Sequence, residues 1–297
     1  MARRSRAHKH NAAPQSRIPL NEDIPIDTGV ARVEEDPYRS GGLILYINGV
    51  PSSHVVIGDP QALEFEYMRW IAALIKILVH AREDLVESSL KITHLGGAGC
   101  SLARYFADLY PQSRNTVVEL DAKLGELVRD WFDIPRAPHV KIRAAEAREA
   151  TENFYPASRD IIIRDVFAGD KTPRSLATVE FFQAVKKSLK PTGVYVANCG
   201  DHKELHGARA ELAGLREVFA HVGVVADPPM LKGRRYGNII LIASDGEIPA
   251  EDSFLQRKLA GELLGGAVPA QYHGDSWVKK FVGQAKPWRD KAPDPQG

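Results

Sequence analysis

The stretch Thr93-His94-Leu95-Gly96-Gly97-Ala98-Gly99-Cys100-Ser101-Leu102-Ala103-Arg104-Tyr105 decides how the rest of the chain is read. Apolar residues lead into a cluster of glycines, and a helix-like pattern leaves it. A strand that ends in glycines and turns into a helix opens a βαβ unit, and in open α/β sheets ligands sit beyond the carboxyl ends of the strands. Glycine lets the backbone approach a ligand closely, because no Cβ intervenes. A helix N-terminus also offers unpaired N–H groups and favours negative charge. Gly96, Gly97 and Gly99 do not complete the G-x-G-x-x-G dinucleotide pattern, and the same residues would equally serve a tight strand–helix turn with no ligand.

Outward from this stretch the pattern alternates. Strand-like segments are expected at 90–95, 115–119, 138–142, 160–164, 193–198, 221–225 and 237–243, with helices near 101–110, 122–132, 146–152, 177–189 and 206–219. Alternation of this kind means a parallel sheet with helices on both faces. The last two strands are joined by DPPMLKGRRY, too polar and Pro/Gly-rich for a crossover helix, and are expected to pair antiparallel at one edge. The fold expected is α/β, a seven-stranded methyltransferase-like (Rossmann-like) sheet, the last step being analogy. Before it, residues 24–34, 43–47 and 53–57 read as a small antiparallel β-domain, with Asn48-Gly49 as a hairpin turn. Asp59-Pro60 is expected to open a helix carrying Leu63, Tyr67, Trp70, Ile71, Leu74, Ile75 and Leu78 to about Val79. Residues 251–265 read as a further helix, and the tail after 270, with Trp277 and Trp288, as a surface extension. The expected division is a flexible basic tail at 1–20, the β-domain at 21–60, a nucleoside-binding domain at 61–245 and a C-terminal helix and tail at 246–297.

Composition narrows the function classes. A formal net charge of +1 over 297 residues argues against a general nucleic-acid binder. Cys100 and Cys199, the only cysteines, have no metal-ligand spacing and no disulfide framework, which fits a reducing, cytoplasmic setting. No metal cluster is read among the scattered histidines. The longest apolar run, Ile71 to Val79, is broken by Lys76 and falls well short of the ~20 residues that span a bilayer. The start, MARRSRAHKH, has no apolar stretch after it and does not read as a secretory signal.

Acids recur at the strand ends. Glu119 ends the second parallel strand about twenty residues past the glycines, where a ribose-binding carboxylate sits in nucleotide-binding βαβ units. The alternative is an ordinary charged strand end. Glu146, in Ala145-Glu146-Ala147-Arg148, is placed to accept from an adenine amino group or simply to favour the first turn of a helix. Asp165 follows the fourth strand, where a carboxylate would face the reactive end of a ligand; its other reading is a cap or turn residue. Asp170 reads as a loop residue.

With these residues assembled, the chain resembles the spermidine synthase family of aminopropyltransferases from about Leu43 to Ser244. The resemblance is carried by Asn48-Gly49, Glu64-Phe65-Glu66-Tyr67, Gly96-Gly97-Ala98-Gly99, Val118-Glu119-Leu120-Asp121, Ala145-Glu146-Ala147-Arg148, Ile162-Ile163-Arg164-Asp165 and Lys190-Pro191-Thr192-Gly193. It implies no prosthetic group, and decarboxylated S-adenosylmethionine as co-substrate, with an aminopropyl group passing to an amine such as putrescine and methylthioadenosine released. It implies nucleoside binding by Gly96, Gly97, Gly99, Glu119, Glu146 and Ala147, and orientation and deprotonation of the attacking amine by Asp165 and Tyr67. Three positions depart from the family. Gly99 stands where the family carries an acid, Ala168 stands where it carries a second, and Ser52 or Ser53 lies where it has a glutamine. The nucleoside side is kept and the polyamine side thinned. Two alternatives follow: a methyltransferase using intact S-adenosylmethionine, or a non-catalytic nucleoside-binding relative. The partners expected are a small-molecule amine and a homodimer mate, with no specific nucleic acid and no membrane.

Overall fold

A computed structural model describes residues 18–169 and 171–291. The basic tail up to residue 17, and Asp170, lie outside the described residues.

The first sheet is antiparallel, in the order β1 (Ile24–Ile26), β2 (Gly29–Glu35), β3 (Gly42–Ile47) and β4 (Val50–Val56). The segment expected as one strand at 24–34 is thus two, turned at Asp27-Thr28. Asn48 and Gly49 take φ of 51° and 78° between β3 and β4, as a tight hairpin requires. The helix expected from Asp59-Pro60 begins later, as α1 (Glu66–Ala81). Asp59 does not cap it: its carboxylate lies 3.4 Å from Arg39, and its carbonyl accepts from Ala62 in a turn. Leu63 is buried in the core and anchors this lead-in.

The second sheet contains β5 (Lys91–Leu95), β6 (Arg114–Glu119), β7 (Val140–Ala144), β8 (Arg159–Arg164), β9 (Leu189–Asp201), β10 (His221–Ala226), β11 (Gly237–Ser244) and β12 (Gln271–His273). Their order is β12-β10-β11-β9-β8-β5-β6-β7. Strands β5 to β9 run parallel, while β11 is antiparallel to both β9 and β10. The antiparallel pair is as expected, but its connection, read as free of helix, holds one turn, α7 (Pro228–Leu231), started by Pro228-Pro229, and β12 adds an eighth strand on β10. The tail after 270 is therefore built into the fold. It continues into α9 (Asp275–Val282), which buries Val278 and Val282, and the Trp288 carbonyl accepts from Val179 at 2.9 Å. Gly223 makes room for the first part of it, since a Cβ there would lie 2.9 Å from the Tyr272 ring.

The parallel strands alternate between two cores. Ile161, Ile163, Val194 and Val196 face α1, α2 (Ser101–Leu109) and α8 (Phe254–Leu264). Ile162, Tyr195 and Ala197 face α4 (Ala147–Glu152), α5 (Val179–Ser188), α6 (His206–Val218) and α9. Period-two alternation in strands this apolar is what a sheet covered on both faces demands. A third core joins the small sheet to α2 and α3 (Ala122–Trp131): Val33, Leu45 and Val55 pack with Ala103, Val128 and Phe132. Burying one such side chain is worth about 1.5–3 kcal/mol, so this contact outweighs the roughly 0–1 kcal/mol of a surface ion pair. Arg104 of α2, 1% exposed, adds a bond to the Val56 carbonyl at 3.1 Å and pairs with Asp133.

Candidate active site

The chain runs β5, β6, β7 outward in one direction and then crosses to β8 on the other side of β5. The carboxyl ends of β5 and β8 therefore flank the point where strand order reverses, which is where open α/β sheets bind ligands. The glycine loop leaves β5 at this point.

Its glycines are bare because of neighbours within the fold. Gly96 takes φ of 84°, and a Cβ on it would overlap the Asp165 carbonyl oxygen. A Cβ on Gly97 would overlap Val117, and one on Gly99 would lie 2.8 Å from Ser53 Cβ and 3.3 Å from the Phe132 ring. The N–H groups of the loop are also engaged. Gly97 and Ala98 both donate to Glu119 Oε2 at 3.0 Å, and Gly99 donates to Ser53 Oγ at 2.9 Å. The N–H groups of the loop itself are thus taken by a carboxylate and a hydroxyl, ahead of the first turn of α2. Asp121 also donates its N–H to Glu119 Oε1, at 3.2 Å. Of the roughly four acceptor directions of a carboxylate, three are filled. One remains, on Oε1.

Glu146 lies one strand further out and caps α4, accepting from Glu149 N at 2.8 Å through Oε2. Of the two roles open to it in the sequence, the structure fills the helix-terminal one and leaves Oε1 without a hydrogen-bond partner among the described residues. Ala147 follows, with its methyl group buried against Ala150 and Phe154. Ala145 N donates to the Glu119 carbonyl at 2.9 Å, which ties the two strand ends together.

Asp165 sits on the other side of the glycines. Its N–H continues the ladder to the Leu95 carbonyl at 2.8 Å. Its carboxylate is held at both oxygens: Tyr67 Oη of α1 donates to Oδ2 at 2.9 Å, and Asn198 Nδ2 of β9 donates to Oδ1 at 3.0 Å. It does not cap a helix. Burial pushes the Asp165 pKa above the ordinary carboxylate value, against the pull of the two hydrogen bonds and of Arg164. Burial, reinforced by the Asp165 charge, pushes the Tyr67 phenol well above its ordinary value. Tyr67 therefore keeps its proton and acts as a donor. Ala168 lies exposed further along the loop, where its N–H bonds the Lys171 carbonyl.

Three residues of this region carry no role in the sequence, although Ser53 is one of two candidates there for a departure from the family. Asn198 had no signal beyond being a polar residue in an otherwise apolar strand. Ser53 closes the space beside Gly99. Leu120 leaves 63% of its surface uncovered next to Glu119, an unusual exposure for leucine and an apolar face for a flat ring. A cavity of about 20 Å³ lies under the loop, between Met68, His94, Gly96, Cys100 and Asp165. A larger one, about 360 Å³, lies between α1 and α8 against Arg69, Lys76 and Glu262. Arg69 and Tyr67 point to opposite sides of α1, two residues apart on a helix, so the larger cavity does not meet the Asp165 carboxylate. Among the described residues no group of three or more His, Cys, Asp or Glu gathers into a metal-binding cluster.

This fold of two sheets has a near counterpart. A solved structure of a probable spermidine synthase from Corynebacterium glutamicum is 57% identical, with a TM-score of 0.90, covering 94% of this chain and 99% of that one. The chain belongs to the spermidine synthase family. The family is one of transferases, and a polyamine aminopropyltransferase from Vibrio vulnificus is 25% identical over 203 residues, 67% of this chain. That match spans 63% of the Vibrio protein's length. A spermidine synthase in complex with the transition state analogue AdoDATO shares the fold, with a TM-score of 0.58 at 19% identity over 89% of this chain and 88% of that one. No protein-family model matches the chain.

Proposed function

We propose that the chain is an aminopropyltransferase that takes the aminopropyl group of decarboxylated S-adenosylmethionine and delivers it to a primary amine such as putrescine. The observation that carries this reading is the Asp165 carboxylate. It is fixed by Tyr67 and Asn198 beside the glycine loop, at the strand-order reversal of a spermidine synthase family fold.

The reaction is a displacement at the carbon next to the sulfonium. The amine nitrogen forms a bond to that carbon, the carbon–sulfur bond breaks, and its electron pair leaves with neutral methylthioadenosine. The leaving group is activated by its own charge, so the demands on the chain are alignment and a neutral amine. An ammonium has no lone pair. Asp165, with its proton affinity raised by burial, is suited to take the amine's proton, while Tyr67 stays protonated and holds the carboxylate still. The free acceptor direction on Glu119 Oε1 and the exposed face of Leu120 suit one ribose hydroxyl and an adenine ring. Glu146 and Ala147, on the next strand end, would border that ring. A Cβ at position 99 would press on Ser53, and with glycine there the donor's ammonium meets no carboxylate at that position.

A turnover assay with both sulfonium donors tests the reading. Methylthioadenosine formed from decarboxylated S-adenosylmethionine and putrescine is the expected product. S-adenosylhomocysteine from intact S-adenosylmethionine, with no methylthioadenosine from the other donor over a panel of amines, would replace it with a methyltransferase.

A further inference from the structure

Behind the Asp165 carboxylate lies a charge pair that no step above uses. Arg164 is wholly buried, and Glu211 of α6 is 1% exposed. Arg164 Nη1 lies 2.7 Å from Glu211 Oε2 and donates to the Leu176 carbonyl at 2.7 Å; Nη2 donates to the Asn198 carbonyl at 3.0 Å. One guanidinium thus grips the residue whose amide holds Asp165. It also grips Leu176, where the loop leaving Asp165 returns to the core. Neighbouring strand residues point to opposite faces, so the pair sits on the α6 side of the sheet while Asp165 meets Tyr67 on the α1 side. Stability alone does not account for it, because replacing a buried ion pair by apolar residues is often neutral or stabilising.

We propose that Arg164 and Glu211 form a positioning pair that sets the orientation and the charge of Asp165. Arg164 fixes Asn198 and places a full positive charge next to the carboxylate. Glu211 cancels part of that charge, so that Asp165 remains a useful proton acceptor. The other groups around Asp165 leave this balance to the pair. Tyr67 of α1 is a neutral donor, with Glu66 beside it. His94 of β5 lines the same small cavity, and burial pushes its pKa down to about 4. Cys199 of β9 follows Asn198, and burial keeps its thiol neutral.

The inference rests on the reading of Asp165 given above, but its test reads the carboxyl group directly. Protein with ¹³C-labelled aspartate is titrated by NMR, the Asp165 signal being assigned by its loss in Asp165→Asn. Glu211→Gln leaves the Arg164 charge uncompensated and is expected to lower the Asp165 midpoint by about one pH unit. The double variant Arg164→Met, Glu211→Met removes the nearer charge and is expected to raise it. Arg164→Lys keeps the charge and is expected to leave the midpoint close to the parent's. Opposite signs in the first two are the signature, since loosened packing would move both the same way. Unchanged midpoints, or shifts of one sign, overturn the proposal. If Glu211→Gln does not fold by circular dichroism, an unchanged or lowered midpoint in the double variant overturns it alone. As a second readout, methylthioadenosine affinity by calorimetry is expected to stay within twofold, on the order of the scatter for distant sites, while transfer to putrescine falls. A parent protein with no transfer would remove the aminopropyl reading and leave the NMR result to decide this one.

Discussion

On the β6–β7 side of the site the acids are already engaged by the chain itself. Glu119 holds the glycine loop through two backbone bonds and accepts a third from Asp121, Asp121 caps α3 and anchors Thr28, and Glu146 caps α4. On the β8–β9 side a single carboxylate is held by two side-chain donors and carries a charge that burial disfavours. The first kind of acid stabilises the fold and has little capacity left for a ligand. The second kind costs stability and is left reactive. Substitutions on the first side should therefore change stability and binding together, and those on the second should change turnover while sparing binding and moving stability only slightly.

The sharpest break between the two sides is Asp165→Asn. Amine transfer should fall by about 10²–10⁴-fold, the usual worth of a positioned proton acceptor, while calorimetric affinity for methylthioadenosine stays near the parent's. Raising the pH should restore part of the rate, because more acceptor then arrives neutral, its free pKa being near that of lysine at ~10.4. Parent-like turnover would make Asp165 a turn residue and erase the comparison.

Glu119→Ala should act on both properties. Nucleoside affinity should weaken by roughly 1.5–3 kcal/mol, the range for hydrogen bonds to a charged group, and the melting temperature should fall because Gly97 and Ala98 lose their acceptor. A loss of affinity with no change in melting would show that the loop does not depend on Glu119.

Gly99→Asp restores an acid on the thinned side but drives a Cβ into Ser53. Overpacking of this kind costs about 1–3 kcal/mol, read by denaturant unfolding. Ser53→Gly in the same chain should recover much of that cost. No recovery would mean that Ser53 is not what keeps position 99 bare.

The smallest effect is in the pH dependence of stability. A carboxylate whose pKa is higher in the folded state binds more protons folded than unfolded, so its contribution falls as pH rises from the unfolded value of 3.8 through the folded one. Asp165→Asn should therefore melt slightly higher than the parent at neutral pH, with the gain vanishing near pH 4 and below. A variant that melts lower at neutral pH would show that the Asn198 and Tyr67 bonds outweigh the burial penalty.

Much of this was legible in sequence because it depends on local spacing. Apolar strands alternating with amphipathic helices fixed the parallel sheet, and Asn48-Gly49 fixed the hairpin, since both residues tolerate positive φ. The acids at 119, 146 and 165 could be placed at strand ends for the same reason. The short strand at Gln271–His273 could not, because three residues carry no period, and it exists only where β10 offers an unpaired edge. The start of α1 was not legible, because Asp59-Pro60 suits a turn as well as a helix opening, and here the Asp59 carbonyl accepts from Ala62 in a turn and the helix starts at Glu66.

The sequence by itself determined the layout of strands and helices, the family and the presence of carboxylates at the switch point, all of which follow from short-range pattern and residue type. What each carboxylate does was decided by contacts between residues 21 to 98 positions apart: Glu119 with the glycine loop, Asn198 and Tyr67 with Asp165. A hydrogen bond needs donor and acceptor within about 3 Å, and a pKa responds to burial. Neither quantity exists until the chain has folded.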